Sequence, residues 1–278
     1  MPPVNRTNPI RAKSSDSEYS LMEFMKTFPD DATCLEWLWQ KRFSPDGEHA
    51  ICPKCSQSRC FKRYDSAQLR ASWTCIACGH HLHPLAGTIF EKSSTSLHLW
   101  FYAMYLMVST KCGISAKQLE RELGVTYKTA WRMAYLIRKH LMEQTEEPLA
   151  GTVEADETYI GGRRRGTPRG RPGPNSHKVA VFGMVERHGQ VRAMTVPNVK
   201  KATLMPHLTR RVIPASTVYT DEFGAYSDLD GLFFNHETVN HSAGEFARGA
   251  VSTNSIESVW AVLKRGLHGV YHHASRKH

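Results

Sequence analysis

The chain has 278 residues, 41% of them apolar, with 36 Lys and Arg against 26 Asp and Glu and a net charge of +10. That length accommodates one large domain or two to three small ones, and the basic excess points to a polyanionic partner, nucleic acid before others. No stretch approaches the roughly 20 apolar residues of a membrane span, and the first residues, MPPVNRTNPIRAKSSDSEYS, lack the apolar core of a secretory signal, so no membrane partner is expected and a cytoplasmic location is.

Residues 1–18 read as a disordered tail, polar and without periodicity. Residues 19–49 hold two short helices. Leu21, Phe24, Met25 and Phe28 form one stripe, Cys34, Leu35, Leu38 and Trp39 another, and Pro29-Asp30-Asp31 turns between them. Such stripes build core and carry no chemistry.

Residues 50–90 are read as a zinc ribbon. Cys52-Pro-Lys-Cys55 and Cys75-Ile-Ala-Cys78 are separated by the 19 residues 56–74. Each pair puts two thiolates on one tight knuckle, and two knuckles complete a tetrahedral shell for Zn²⁺. A closed shell of four thiolates is structural, since no position stays open for water. The seven cysteines, an odd count, argue against a secreted disulfide framework. Cys60, His80, His81 and His83 are spare, and Arg59, Lys62, Arg63 and Arg70 touch phosphates or form a solvated face.

Residues 95–147 are helical, beginning with LHLWFYAMYLMV. Within them Ser115 caps a helix to Leu123, Gly124 and Val125 turn, and Thr126 caps a second helix that presents Tyr127, Lys128, Thr129 and Arg132. Ala116, Leu119, Leu123, Val125, Ala130 and Met133 pack inside. This is a helix-turn-helix pattern, whose second helix enters the DNA major groove; two antiparallel core helices give the same pattern.

Strands are expected over 151–160, 178–186, 190–197, 216–220 and 232–240, and helices over 201–212 and 254–268, which makes 150–278 a mixed α/β core. The loop GGRRRGTPRGRPGPNS carries Arg163, Arg164 and Arg165, which track DNA or belong to a solvated insert.

Three acids stand out in this core. Asp156 lies in a strand, Asp221 ends the buried strand Val218-Tyr-Thr-Asp221, and Glu257 opens the last helix. Three carboxylates meeting at one point repel one another, and hard divalent cations such as Mg²⁺ or Mn²⁺ relieve that cost and promote phosphoryl transfer. Each acid also has a structural reading. Glu257 pairs with Asn254 as a capping box, Asp221 is a turn residue, and Asp156 has the acidic neighbours Glu154 and Glu157. Lys264 lies two helical turns beyond Glu257, on the face of Ala261 and His268, where it holds a DNA phosphate or is simply exposed. The buried stripe of that helix is Ile256, Val259, Trp260, Leu263 and Leu267.

The 35 residues between Asp221 and Glu257 match the D,D(35)E spacing of retroviral integrases and many transposases. Together with CPKC…CIACG, TVEADETYIGG, HKVAVFGMVER, VYTDEFGAY, the VNHS run at 239–242 and TNSIESVWAVLKRGLHGVYHHAS, the chain from about residue 20 onward resembles the ISXO-like insertion-sequence transposases of bacteria. The resemblance implies a ribonuclease-H-like fold for 150–278, Asp156, Asp221 and Glu257 as the catalytic triad, and Lys264 as the basic residue beside it. It further implies double-stranded DNA as partner, at both element ends and target, with a homo-oligomer bridging the ends in the nucleoid. His241 and Tyr271-His272-His273 fall on family motif positions without assigned roles. The family also continues roughly a few tens of residues past Ser275-Arg-Lys-His278, so a final helix is expected to be missing, which leaves the activity of this copy open. Two rival readings stand beside this one: a non-catalytic zinc-ribbon and helix-turn-helix regulator, and a ribonuclease-H-like nuclease that only hydrolyses.

Overall fold

Four helices in this chain start at a polar side chain, Ser20, Asp30, Ser115 or Thr126, that caps the backbone in front of an apolar run. The computed structural model describes residues 19–65, 70–110, 112–141, 147–161, 178–229, 235–245 and 247–272. The tail at 1–18, the arginines at 163, 164 and 165, and His273 lie outside the described residues. The chain divides into two compact units, Met1–Thr110 with Ile114–Glu143, and Lys111–Gly113 with Gln144–His278.

In the first unit Ser20 and Glu23 form a reciprocal capping box that opens α1 (Leu21–Thr27). Asp30 caps α2 (Asp31–Arg42) through Thr33 N–H at 2.8 Å. Four antiparallel strands follow in chain order: β1 (His49–Cys52), β2 (Gln57–Tyr64), β3 (Ser72–Cys75) and β4 (His81–Leu82). Helix α3 (Leu97–Ser109) takes its cap from a distance, for Asp31 accepts from His98 N–H at 3.0 Å. The expected aromatic stripes do build core, with one difference: Phe24 is buried, whereas Leu21 and Met25 on α1 are exposed. A seven-residue helix has room to bury only one narrow edge. The Trp39 ring stacks on Trp73 at 4.8 Å and its indole N–H bonds Gly47 O at 2.8 Å, joining α2 to the ribbon.

Helices α4 (Ala116–Leu123) and α5 (Tyr127–His140) are capped by Ser115 and Thr126, and Gly124 sits left-handed between them. Leu119, Leu123, Ala130 and Met133 are buried between the helices and α3, while Tyr127, Lys128 and Arg132 are exposed. Thr129 departs from the expectation. It is half-buried, with its hydroxyl 3.1 Å from that of Thr126, because it takes part in the cap.

The second unit holds β5 (Thr152–Ile160), β6 (Val179–Glu186), β7 (Val191–Val196), α6 (Lys201–Arg211), β8 (Thr217–Asp221), β9 (Asn235–Val239), the small hairpin β10 (Ala247–Arg248) and β11 (Val251–Ser252), and α7 (Asn254–Arg265). The first five strands form one mixed sheet in the order β7-β6-β5-β8-β9. β5 to β7 are an antiparallel meander, and β8 and β9 run parallel to β5. Strand alternation gives each face its own layer. Val153, Ala155, Phe182 and Met184 pack with Leu204 and Leu208 of α6. Val181 and Val185 pack with Ile256 and Trp260 of α7. The last helix is shorter than expected: after Arg265 the chain passes into a π-helical turn, Gly266–Val270, which takes Leu267 off the α-helical stripe.

Glu154 has no apolar role on β5, yet its side chain is fully buried. Its Oε2 accepts the N–H groups of Ser255 at 2.7 Å and Ile256 at 3.0 Å, at the start of α7. Its Oε1 accepts Arg187 Nε at 2.7 Å and the Ser255 hydroxyl at 3.0 Å. Arg187 in turn donates to Ala250 O and Ser252 O and stacks over Tyr219 at 4.9 Å. Thr253, at the formal cap position, makes no capping bond of its own, so the strand caps the helix. Replacing one partner of such a pair strands the other. Glu154→Ala is expected to lower the unfolding free energy by about 3 kcal/mol or more, and Glu154→Gln by less, in urea denaturation.

Candidate active site and cysteine cluster

The cysteines come together as expected. The sulfurs of Cys52, Cys55, Cys75 and Cys78 all lie within 4.8 Å of one another, and Cys52 and Cys78 are 3.6 Å apart. Four thiolates around one zinc at ~2.3 Å are separated by roughly 3.8 Å, so the cluster fits a tetrahedral ion. The two knuckles share one backbone design. Ser56 N–H bonds Cys52 O at 2.8 Å and Gly79 N–H bonds Cys75 O at 2.9 Å. Both residues following the second cysteine are left-handed, at φ 55° and 71°. Glycine suits that conformation, and the first knuckle achieves it with serine.

In the second unit the pairing of β5 with β8 runs Thr152 to Thr217, Val153 to Val218 and Glu154 to Tyr219. Carried two residues further, the same register sets Asp156 level with Asp221, on neighbouring strands and one face. Glu257 and Lys264 reach the same cavity from α7. Its volume is about 420 Å³, and Glu157, His241 and Thr253 also line it. Among the described residues only the cysteines bring three or more such donor atoms within 4.8 Å, so the three carboxylates share a cavity without all closing to that distance.

Each acid is held by a specific donor. Trp260 Nε1 donates to Asp156 Oδ2 at 2.9 Å, Phe223 N–H to Asp221 Oδ1 at 3.1 Å, and the Thr253 hydroxyl to Glu257 Oε1 at 3.1 Å. Glu257 thus faces the cavity and forms no capping box with Asn254, which is already the first helical residue. The buried Tyr226 donates its hydroxyl to Glu157 at 2.8 Å. Burial, then the charges of Asp221 and Glu257, push the Asp156 carboxyl up to about 6, against the Trp260 bond that lowers it. Beside Asp221, the Ser242 hydroxyl leads the hydrogen bonds that hold Glu222 down at about 2. The acids outnumber the one lysine on the lining, Lys264, and hard oxygen donors in that excess suit a divalent cation.

Trp260 reads in sequence as plain core, and its bond to Asp156 depends on a glycine. Gly183 is the cross-strand partner of Asp156, and a Cβ there would lie 2.4 Å from the Trp260 ring. Glu154, Glu157, His241, Thr253 and Trp260 are the site and support residues that sequence reasoning left without a role. All five lie inside the quoted motifs, Glu154 and Glu157 in TVEADETYIGG, His241 in VNHS, and Thr253 and Trp260 in TNSIESVWAVLKRGLHGVYHHAS.

Treatment with a strong chelator is expected to unfold the ribbon. Wild type is expected to purify with one zinc per chain and Cys52→Ser without it, as read by atomic absorption. For Asp156 the folded value lies above that of an ordinary aspartate, so its contribution is favourable below about 4 and is lost as pH rises toward 6. In magnesium-free buffer the core should lose about 3 kcal/mol over that window, and Asp156→Asn should abolish the slope in urea unfolding at pH 4 to 7.

The profile of the ISXO2-like transposase domain matches residues 148–278. An uncharacterized protein in transposable element ISH50 of Halobacterium salinarum is 30% identical over 257 residues, covering 87% of this chain and 85% of that one. An uncharacterized transposase-like protein of Haemophilus influenzae is 42% identical over 78 residues, 28% of this chain and 63% of that protein. Among solved structures, the Mos1 strand transfer complex is similar at 15% identity and TM-score 0.21, over 50% of this chain and 56% of that chain. The Mos1 transposase paired-end complex with left transposon end is similar at 15% identity and TM-score 0.23, over 62% and 75%. With a relative matched along most of both chains and a transposase profile over the unit that holds the acidic cavity, this chain belongs to the ISXO2-like transposase family.

Proposed function

We propose that the chain is a DDE transposase that cuts DNA at the ends of its insertion sequence and joins them to a target, with a ribonuclease-H-like catalytic core. The observation that carries this reading is the level placement of Asp156 and Asp221 on adjacent strands, facing Glu257 and Lys264 across one cavity. In this reading Asp156, Asp221 and Glu257 hold Mg²⁺ or Mn²⁺. When bound, such ions supply charge stabilisation at the phosphoryl oxygens and a more acidic attacking hydroxyl.

The protein's own groups do the rest. Trp260 keeps one Asp156 oxygen turned in, leaving the other for the cavity. Lys264 binds a non-bridging phosphate oxygen. Water first attacks the phosphorus at the element end, the bond to the 3′ oxygen breaks, and a 3′-hydroxyl is released. That hydroxyl then attacks a target phosphodiester, forming one bond as the target's own breaks, so joining requires no external energy source.

The front unit supplies DNA recognition in this proposal. The zinc-filled ribbon supports α4 and α5 as a helix-turn-helix, and the exposed Tyr127, Lys128 and Arg132 approach the terminal inverted repeats. The arginines at 163, 164 and 165 add phosphate contacts, and a homo-oligomer bridges the two ends. Among the described residues no helix is long and apolar enough to cross a membrane.

The test uses a plasmid carrying the gene with its flanking DNA, incubated with full-length protein and Mg²⁺ or Mn²⁺. Wild type is expected to produce both cleaved ends and joined products. Asp221→Ala should lose both by a factor of about 10³ or more. Cleavage without joining would identify a nuclease. Binding without either product, in wild type and variant alike, would identify a regulator.

A further inference from the structure

Two sequence motifs, Asp221-Glu222 and the VNHS run, meet beside the cavity. Strand β9 ends at Val239, paired level with Asp221. The chain then enters a single 3-10 turn, His241–Ala243, in which Asn240 caps Ala243 N–H at 2.9 Å. The Glu222 carboxylate grips this turn from outside. Its Oε2 accepts His241 N–H at 2.9 Å, and its Oε1 accepts Ser242 N–H at 3.1 Å and the Ser242 hydroxyl at 2.5 Å. Three donors from two successive residues on one carboxylate fix the turn as a body.

The His241 ring is thereby set on the cavity wall. Its Nε2 lies 3.3 Å from Thr253 Oγ1 and 3.6 Å from Glu257 Oε1. Thr253 is 1% exposed and its hydroxyl proton is committed to Glu257. Toward the ring, the Thr253 oxygen therefore acts as acceptor, which places an imidazole proton on Nε2. Glu257 itself sits on an open helix turn, its side chain 46% exposed, and a glutamate there samples several rotamers unless something restrains it. Thr253 and His241 supply the restraint.

We infer that His241, anchored through its backbone by Glu222, is a positioning residue that holds Glu257 in the rotamer facing Asp156 and Asp221. The inference rests on the transposase reading above and adds to it a specific device: the acid that follows Asp221 in sequence controls the orientation of Glu257 through the VNHS turn. Residues that orient a metal-binding carboxylate change metal affinity or turnover by about 10- to 100-fold when removed.

The experiment measures Mn²⁺ binding to full-length protein by electron paramagnetic resonance, alongside single-turnover cleavage of the flanking-DNA plasmid. His241→Ala and Glu222→Ala are each expected to weaken Mn²⁺ binding by about 10-fold or more. Turnover should slow comparably, with plasmid affinity within about twofold of wild type and an unchanged melting temperature for His241→Ala. His241→Gln, which keeps a donor near Nε2, should recover most of the loss. The double variant should be no worse than the worse single one, because both act through one contact. Wild-type Mn²⁺ affinity and rate in His241→Ala, in a protein that Asp221→Ala inactivates, would overturn the positioning role and leave the transposase reading intact. Additive losses in the double variant would overturn it too. If Asp221→Ala stays active, the transposase reading itself fails. Should Glu222→Ala not fold, the His241 pair decides alone.

Discussion

The buried contact of Glu154 with Arg187 and the first turn of α7 is the constraint on which the catalytic unit depends. Glu154 lies two residues before Asp156 on β5, on the same face, and the two N–H groups it binds, those of Ser255 and Ile256, immediately precede Glu257 on α7. One carboxylate therefore fixes the distance between the strand that bears one acid and the helix that bears another. A buried charge with a single partner is a poor source of stability. Here the carboxylate has two backbone donors, a hydroxyl and a guanidinium, so each oxygen accepts two bonds and none of its capacity is left in an apolar layer. The contact specifies geometry first and adds stability second.

The chain carries two clusters of candidate metal ligands, of opposite character. The cysteine set is soft, closed and drawn tight within a single small sheet, each half supplied by a turn of four residues. The carboxylate set is hard, open to a cavity and assembled from two strands and a helix. Each knuckle is built by local backbone, which brings its two thiols together. Carboxylates repel one another, and in the shared hollow burial and that repulsion leave Asp156 reluctant to ionise. The difference separates a site that builds a fold from one that a fold has to build.

Much of this was legible in the residues. Helix caps at Ser115 and Thr126, the knuckles, the strands and the helix at 201–211 all rest on local chemistry and fall where the patterns put them. What stayed hidden depends on contacts between distant segments. Glu154 looked like a competitor to Asp156 because it is an acid two residues away, and nothing nearby reveals that α7 starts against it. Trp260 fits an apolar stripe perfectly well, and only the glycine opposite Asp156 shows that its indole also serves a carboxylate. Leu267 followed the α-helical period on paper, but the π turn after Arg265 ends that period. The cap of α3 by Asp31 was likewise invisible, since donor and acceptor are separated by more than 60 residues in the chain.

The parallel register of β5 and β8 has an all-or-none consequence. Side chains on a strand alternate between faces, so the parity of a position decides which layer it enters. Removing one residue between Val218 and Asp221 would rotate that carboxylate from the hollow into the apolar layer beneath α6, where Val218 now lies with Leu204 and Leu208. Insertions before β8 shift nothing so long as the pairing holds. The chemistry of this unit therefore tolerates wide drift in loop length while forbidding the smallest slip inside two short strands.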